Sequence, residues 1–223
     1  MMITYPMIFK ELEDFHSWEF RQSLDIYKTS FPSNQTRPAK KVVKMLKDDR
    51  DYHLFIAANK SAVVGISLLY AFKSLHIGLL DYLAVDPNYQ RRGIGKKLFR
   101  FTVQKLRSQM PVVIGLMLEI QKERVHDSHG RHIIKDRIRF YQQLGARVLD
   151  GVNYLLPSQT HRKPEEMYLM IVPLTKMRSL PKRFIIKYVR AIYSTIYQYE
   201  KNDLLDAVSR SLPTTIMVHD LVL

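Results

Sequence analysis

The stretch VDPNYQRRGIGKKL, residues 85–98, sets Gly93 and Gly95 between two arginines and two lysines at the start of an apolar helical pattern. Glycine costs about 1 kcal/mol relative to alanine inside a helix, so the pair needs a reason. Lacking Cβ atoms, glycines let a ligand approach the backbone closely. A helix that begins there directs unpaired N–H groups and the positive end of its dipole at that ligand, which makes an anion site. Arg91, Arg92, Lys96 and Lys97 add long-range attraction for the same anion. The segment lacks the G-x-x-x-x-G-K-[ST] of a Walker loop, and the dinucleotide pattern G-x-G-x-x-G fails at Leu98. A flexible turn with solvated charges is the competing reading.

Two carboxylates stand inside apolar runs, Glu119 in VVIGLMLEI and Asp81 in IGLLDYLAV. A carboxylate in such a strand needs a cleft or a partner. Burial and a neighbouring like charge are the two ways a carboxylate becomes basic enough to take a proton. A structural salt bridge with Arg137 or Arg139 is the alternative. His126, His129 and His132 repeat at three-residue spacing, which raises the question of a metal. Gly130 interrupts helical geometry there and no zinc spacing is matched, so no metal is expected and the segment reads as a loop.

The elements that must position these residues follow from periodicity. Residues 2–10 read as a strand. Helices fit 17–31 and 39–47, with FPSNQTRP between them. YHLFIAA, AVVGISLLYAF and IGLLDYLAVD read as three strands separated by short polar breaks, a meander. The glycine turn opens a helix carrying Leu98, Phe99, Val103 and Leu106. A strand over 111–120 follows, then a helix over 134–145 that stops at Gly145, then a strand over 165–174. This is an α/β arrangement around a mixed sheet. Beyond it, residues 175–223 read as a helical extension, broken near residues 201–203.

The chain has 223 residues, 46% hydrophobic and 25% charged, which is ordinary globular composition. No apolar run is long enough for a bilayer span and the first residues lack a signal-peptide layout, so a cytoplasmic protein is expected. The absence of cysteine excludes disulfides, thiolate metal sites and an acyl-cysteine intermediate. The formal net charge is +14, from 35 Lys and Arg against 21 Asp and Glu. Such a field attracts anions: a phosphorylated cofactor, an acidic carrier protein, anionic lipid or nucleic acid. No nucleic-acid recognition motif accompanies the charge.

YLAVDPNYQRRGIGKKL resembles the acyl-CoA-binding motif of the GNAT superfamily of N-acyltransferases, with Gln90, Gly93 and Gly95 after a strand ending in Val85 and Pro87. RFYQQLGARVL resembles a second signature of that family, at the expected distance downstream. The resemblance implies the GNAT fold over residues 1–174, a central mixed, mostly antiparallel sheet flanked by helices. The C-terminal helical extension, 175–223, then packs on the domain or on a partner. It implies acyl-CoA or acetyl-CoA as co-substrate and a primary amine as acceptor, joined by direct attack on the thioester. The segment Arg91, Arg92, Gly93, Ile94, Gly95, Lys96 and Lys97 would bind pyrophosphate, with Gln90 beside it. The backbone of Leu83, Ala84 and Val85 would run along the pantetheine arm.

The resemblance makes Tyr141 the acid for the departing thiolate, and Glu119 and Asp81 the candidates for amine binding or proton removal. One departure is Ile134, seven residues before Tyr141, where many members have asparagine. Some relatives transfer fatty acyl chains to lysine or ornithine side chains of ribosomal peptides. Others acetylate small-molecule or protein amines, and both classes are open here. A non-catalytic acyl-CoA-binding or membrane-surface protein is the reading of another class. It draws on residues 182–197, where an apolar stripe from Phe184 to Ile196 is flanked by Lys182, Arg183, Lys187 and Arg190. The same stripe could meet a second subunit or cover an acyl channel.

Overall fold

The computed structural model describes residues 6–31, 36–122, 128–157 and 163–221. They form two compact units, Met1–Val113 and Ile114–Leu223. In the first unit the order is β1 (Ile8–Glu11), α1 (Trp18–Ser30), α2 (Ala39–Asp48), β2 (Tyr52–Ala58), β3 (Val63–Phe72), β4 (Ile77–Val85) and α3 (Ile94–Gln109). Strands β1 to β4 pair in sequence order, each antiparallel to the next, which is the expected meander. Both α1 and α3 pack on β3, and every residue of that strand is buried. Hence β3 reads as a continuous hydrophobic run rather than an alternating one. Ser17 caps α1 by accepting the Phe20 N–H at 3.2 Å.

The register of β4 against β3 slips at one place. Leu68 faces Tyr82 and Leu69 faces Leu80, so Asp81 is an extra residue, a β-bulge. A bulge re-aims the side chain it carries, and here that side chain is a carboxylate.

The second unit contains β5 (Gly115–Gln121), α4 (Ser128–Gln142), β6 (Arg147–Leu149), β7 (Tyr154–Leu156), β8 (Glu165–Pro173), β9 (Ser179–Pro181), α5 (Lys182–Ile192), α6 (Asp203–Ser211) and β10 (Thr215–His219). A π-helical turn, Tyr193–Tyr197, extends α5. Strand β8 is the hub, antiparallel to β5, β6 and β7. Strand β10 then joins β6 to β9, again antiparallel.

Two expectations need correction here. Helix α4 starts at Ser128, so His129, Gly130 and His132 are helical rather than in a loop; His126 lies outside the described residues. A single glycine costs a helix only about 1 kcal/mol, and the downstream apolar face outweighs it. The stretch beyond residue 174 is helical only in part, because strands β9 and β10 bring it into the sheet of the second unit. Strands this short carry too few residues to show a period. The stripe on α5, expected to pack on the domain or on a partner, packs within its own unit. Ile185, Tyr188, Val189 and Ile192 are 0% exposed, and α5 packs against α6, β9 and its own π-turn. The basic residues Arg183, Lys187 and Arg190 stay on the exposed face. Among the described residues no helix is long and apolar enough to cross a membrane.

Candidate functional site

The glycine turn of the first unit is built as an anion cradle. After Val85, Asp86 accepts the Asn88 N–H at 2.8 Å and starts a 3₁₀ turn over Pro87–Tyr89. The Gln90 side chain donates back to the Val85 carbonyl at 3.0 Å and ties the turn to β4. Arg91 then sits at φ 59° and Gly93 at φ 76°, both left-handed. Alternation of left-handed residues with ordinary ones is the backbone pattern of an anion nest. Arg91 holds a conformation that is strained for a side chain with a Cβ, and such strain concentrates at ligand clamps.

Gly93 is the N-cap of α3, and no side chain caps that helix. A Cβ at Gly93 would meet nothing within 4 Å, so its dihedral angle rather than space demands glycine. The first N–H groups of α3 are therefore left for a ligand. Arg91, Arg92, Lys96 and Lys97 are all exposed around this turn, and the Arg92 guanidinium lies 5.3 Å from the Tyr89 ring centre. Ile94, Leu98, Phe99 and Leu106 are buried and fix the helix against the sheet. Leu83 and Val85 are half-buried and Ala84 is buried on β4, which leads directly into the turn. The turn thus gathers backbone donors and cations at one point, the requirement for holding an anionic group.

Asp81 has a different environment. Arg37 donates to both of its carboxylate oxygens, at 3.0 Å from Nη1 and more closely from Nη2, and the Tyr52 hydroxyl also donates to Oδ2. Both side chains of the Arg37–Asp81 pair are only 2% exposed. Arg37 Nη2 also meets Tyr52 at 2.8 Å, and Tyr27 donates to the Arg37 carbonyl at 2.8 Å. The guanidinium lies 5.3 Å from the Tyr82 ring centre. Burial first, then the Asp81 charge, pushes the Tyr52 phenol up. Two guanidinium donors and a phenol thus occupy both oxygens of the carboxylate within a buried pair. The salt bridge considered for a carboxylate thus forms at Asp81, and its partner is Arg37 rather than Arg137 or Arg139.

In the second unit, Tyr141 is buried near the C-terminal end of α4. Burial pushes its phenol up to about 12, opposed by the charge of Arg137, so near neutral pH it carries its proton. The helix end that holds it is a Schellman motif. Gly145 at φ 89° donates to the Gln142 carbonyl at 2.9 Å, and the Ala146 N–H donates to the Tyr141 carbonyl at 2.9 Å. This is the cap expected at Gly145, and it fixes the backbone of Tyr141 itself.

Glu119 lies in β5 opposite Leu169 of β8 and is half-buried. Its Oε2 accepts the Tyr197 hydroxyl at 2.6 Å. Tyr154 on β7 is fully buried, and burial followed by the Glu119 charge holds its phenol well above the usual range. Tyr193 is raised by the same two causes in the same order. Glu119 thus takes a phenol hydroxyl from the C-terminal segment, where Asp81 takes a guanidinium and a phenol.

Sequence reasoning missed Arg37 and Tyr197. Arg37 lies within the break FPSNQTRP, where a buried charge has no periodic signature; the signal was an aspartate in an apolar strand, which demands a cation somewhere. Tyr197 lies one residue beyond the apolar stripe that ends at Ile196, and no periodicity marks a hydroxyl that must find a partner. Among the described residues no group of histidines and carboxylates could hold a metal, and His132 is exposed.

Residues 50–145 match the family model of the acetyltransferase (GNAT) domain. An uncharacterized protein of Dictyostelium discoideum is 30% identical over 112 residues, which is 48% of this chain and 24% of that protein. The chain thus matches about a quarter of the length of that relative. Solved structures with a similar fold include a GNAT-family protein of Bacteroides thetaiotaomicron, with TM-score 0.67, 17% identity, 86% of this chain and 99% of that chain covered. The ribosomal-protein-S18-alanine N-acetyltransferase of Escherichia coli gives TM-score 0.54 at 19% identity, covering 77% of this chain and 96% of that one. A GNAT-family acetyltransferase of Elizabethkingia anophelis with acetyl-CoA bound gives TM-score 0.51 at 15% identity, covering 75% and 98%.

Proposed function

We propose that this chain, which carries a GNAT acetyltransferase domain and the GNAT fold, moves an acyl group from acyl-CoA to a primary amine. The observation that carries the reading is the turn at residues 91–97. Two left-handed residues, an uncapped helix N-terminus and four exposed cations gather at one point, inside the matched domain. The backbone N–H groups there hold the diphosphate, and Arg91, Arg92, Lys96 and Lys97 raise its local concentration.

The chemistry that remains is proton handling. An ammonium must lose a proton before it attacks a thioester, and the departing thiolate is eased by an acid. Glu119 is the carboxylate suited to the first task, since Asp81 is tied up by Arg37. Tyr141 is suited to the second, because it lies in the family signature and its phenol carries a proton near neutral pH.

For the acceptor, a peptide or protein amine and a small-molecule amine are both served by this machinery. The proposed donor is acetyl or another short acyl group. The reason is that the apolar stripe of α5, the candidate cover for a fatty chain, is already packed within its own unit. A lysine or ornithine side chain of a ribosomal peptide remains a candidate acceptor with any donor. The test is calorimetric titration of CoA into the parent and into Gly95→Val, with circular dichroism as the check on folding. Binding lost in a folded variant is the expected result. Unchanged affinity would refute the assignment of the turn.

A further inference from the structure

The C-terminal segment lies wholly outside residues 50–145, the part that matches the acetyltransferase family. It nevertheless reaches the candidate base. Helix α5 ends in a π-helical turn, Tyr193–Tyr197, a rare geometry that recurs at functional sites. The turn is anchored where it starts. The Tyr193 hydroxyl donates to the carbonyl of Leu155 on β7, and the Tyr199 N–H donates to the Tyr193 carbonyl at 2.9 Å. Gln198, just after the turn, is left-handed at φ 52° and reverses the chain. Ile192, Tyr193 and Ile196 are buried at 0–2% exposure and hold the turn down. The one side chain of the turn that reaches back to a carboxylate is Tyr197, whose hydroxyl donates to Glu119 Oε2 at 2.6 Å.

From this geometry we infer that Tyr197 is a positioning residue for Glu119, supplied by the C-terminal segment, and that it holds the Glu119 carboxylate oriented and ionised. This rests on the reading of Glu119 as the group that takes a proton from the acceptor amine. A phenol O–H donating to a carboxylate favours the ionised form, and burial among apolar side chains opposes it. Among the described residues the phenols of Tyr154 from β7, and of Tyr193 and Tyr197 from the turn, bear on Glu119. Behind them, the Tyr199 hydroxyl donates to Asp203 at 2.8 Å. Strand β8 places Leu169 opposite Glu119. Helix α4, also packed on β5, carries Arg137, whose charge bears on Tyr141.

In the proposed step the acceptor ammonium gives one proton to the carboxylate. The products are a neutral amine and a carboxylic acid, which later returns its proton to water.

The test reads Glu119 directly and needs no acceptor. The probe is the ¹³Cδ resonance of Glu119 in glutamate-labelled full-length protein, assigned with Glu119→Gln and followed from acid to neutral pH. In Tyr197→Phe the apparent Glu119 pKa should rise by about one unit, so that the ionised fraction below it falls about tenfold. Site-specific 3-fluorotyrosine at position 197 is a stronger donor of nearly the same size and should lower the pKa. It reads the same bond if the phenylalanine variant fails to fold. Superimposed titration curves for the parent and either folded variant would overturn the inference. The underlying reading is tested separately by acyl transfer in Glu119→Gln. Full activity there removes Glu119 as the base and leaves the titration result standing.

Discussion

Replacing Asp81 by asparagine separates a structural carboxylate from a catalytic one. The Arg37–Asp81 pair is 2% exposed on both sides, so solvent does little to screen it. Asparagine cannot accept two charge-assisted bonds from a guanidinium and leaves a buried cation uncompensated. Breaking a buried pair from one side costs about 3–5 kcal/mol. For a chain of this size each kcal/mol lowers the melting temperature by about 2–4 °C, so a fall of roughly 6–20 °C is expected. The assay is differential scanning calorimetry at neutral pH on the parent, Asp81→Asn, and the double variant Arg37→Met with Asp81→Leu. Removing both charges together should recover much of the loss, because two desolvation penalties disappear with the attraction. If Asp81→Asn melts within about 2 °C of the parent while acyl transfer is abolished, the pair is not structural and the reasoning fails.

Other variants test the remaining assignments. Tyr141→Phe removes one hydroxyl and should lower kcat by about 10²-fold with CoA affinity retained, as measured by steady-state kinetics and calorimetry. Gly93→Ala must place a Cβ on a residue at φ 76°, which costs about 1–2 kcal/mol, and weakened CoA binding in a titration would report the distorted cradle. The His53 hydrogen bond, against the effect of burial, holds the Glu11 carboxyl below its usual 4.5. A depressed carboxylate contributes stability above the unfolded pKa and loses it as pH falls through the folded one. His53→Gln should therefore lose more melting temperature at neutral pH than in acid, and an equal loss at every pH would contradict the linkage.

The turn at residues 91–97 was legible in the sequence because its conformation is local. Gly93, Gly95 and the four flanking cations are contiguous, and the backbone conformation they permit needs no distant partner. The meander of β2 to β4 was legible for the same reason, since long apolar runs with short polar breaks carry their own period. Gly145 signalled the Schellman cap that fixes Tyr141. Long-range pairing was not legible. Asp81 finds Arg37 forty-four residues away, and Glu119 finds Tyr197 seventy-eight residues away. The sequence poses the need for a partner at each carboxylate, and only folding says which residue meets it. Strands of three to five residues, such as β6, β9 and β10, are set by pairing with neighbours rather than by their own composition.

The central claim is amine-dependent transfer from acyl-CoA, and release of the CoA thiol tests it most directly. The chain has no cysteine, so a thiol reagent sees only the liberated CoA. The measurement combines continuous thiol detection with mass spectrometry of the acceptor. It uses acetyl-CoA and a panel of lysine peptides, alanine-terminated peptides and small diamines. Thiol release that rises with one class of amine, matched mole for mole by an acetyl mass gain on that amine and reduced in Glu119→Gln and Tyr141→Phe, is the predicted result. Tight CoA binding with no thiol release above the protein-free rate across the panel would contradict the claim and leave a CoA-binding protein without turnover.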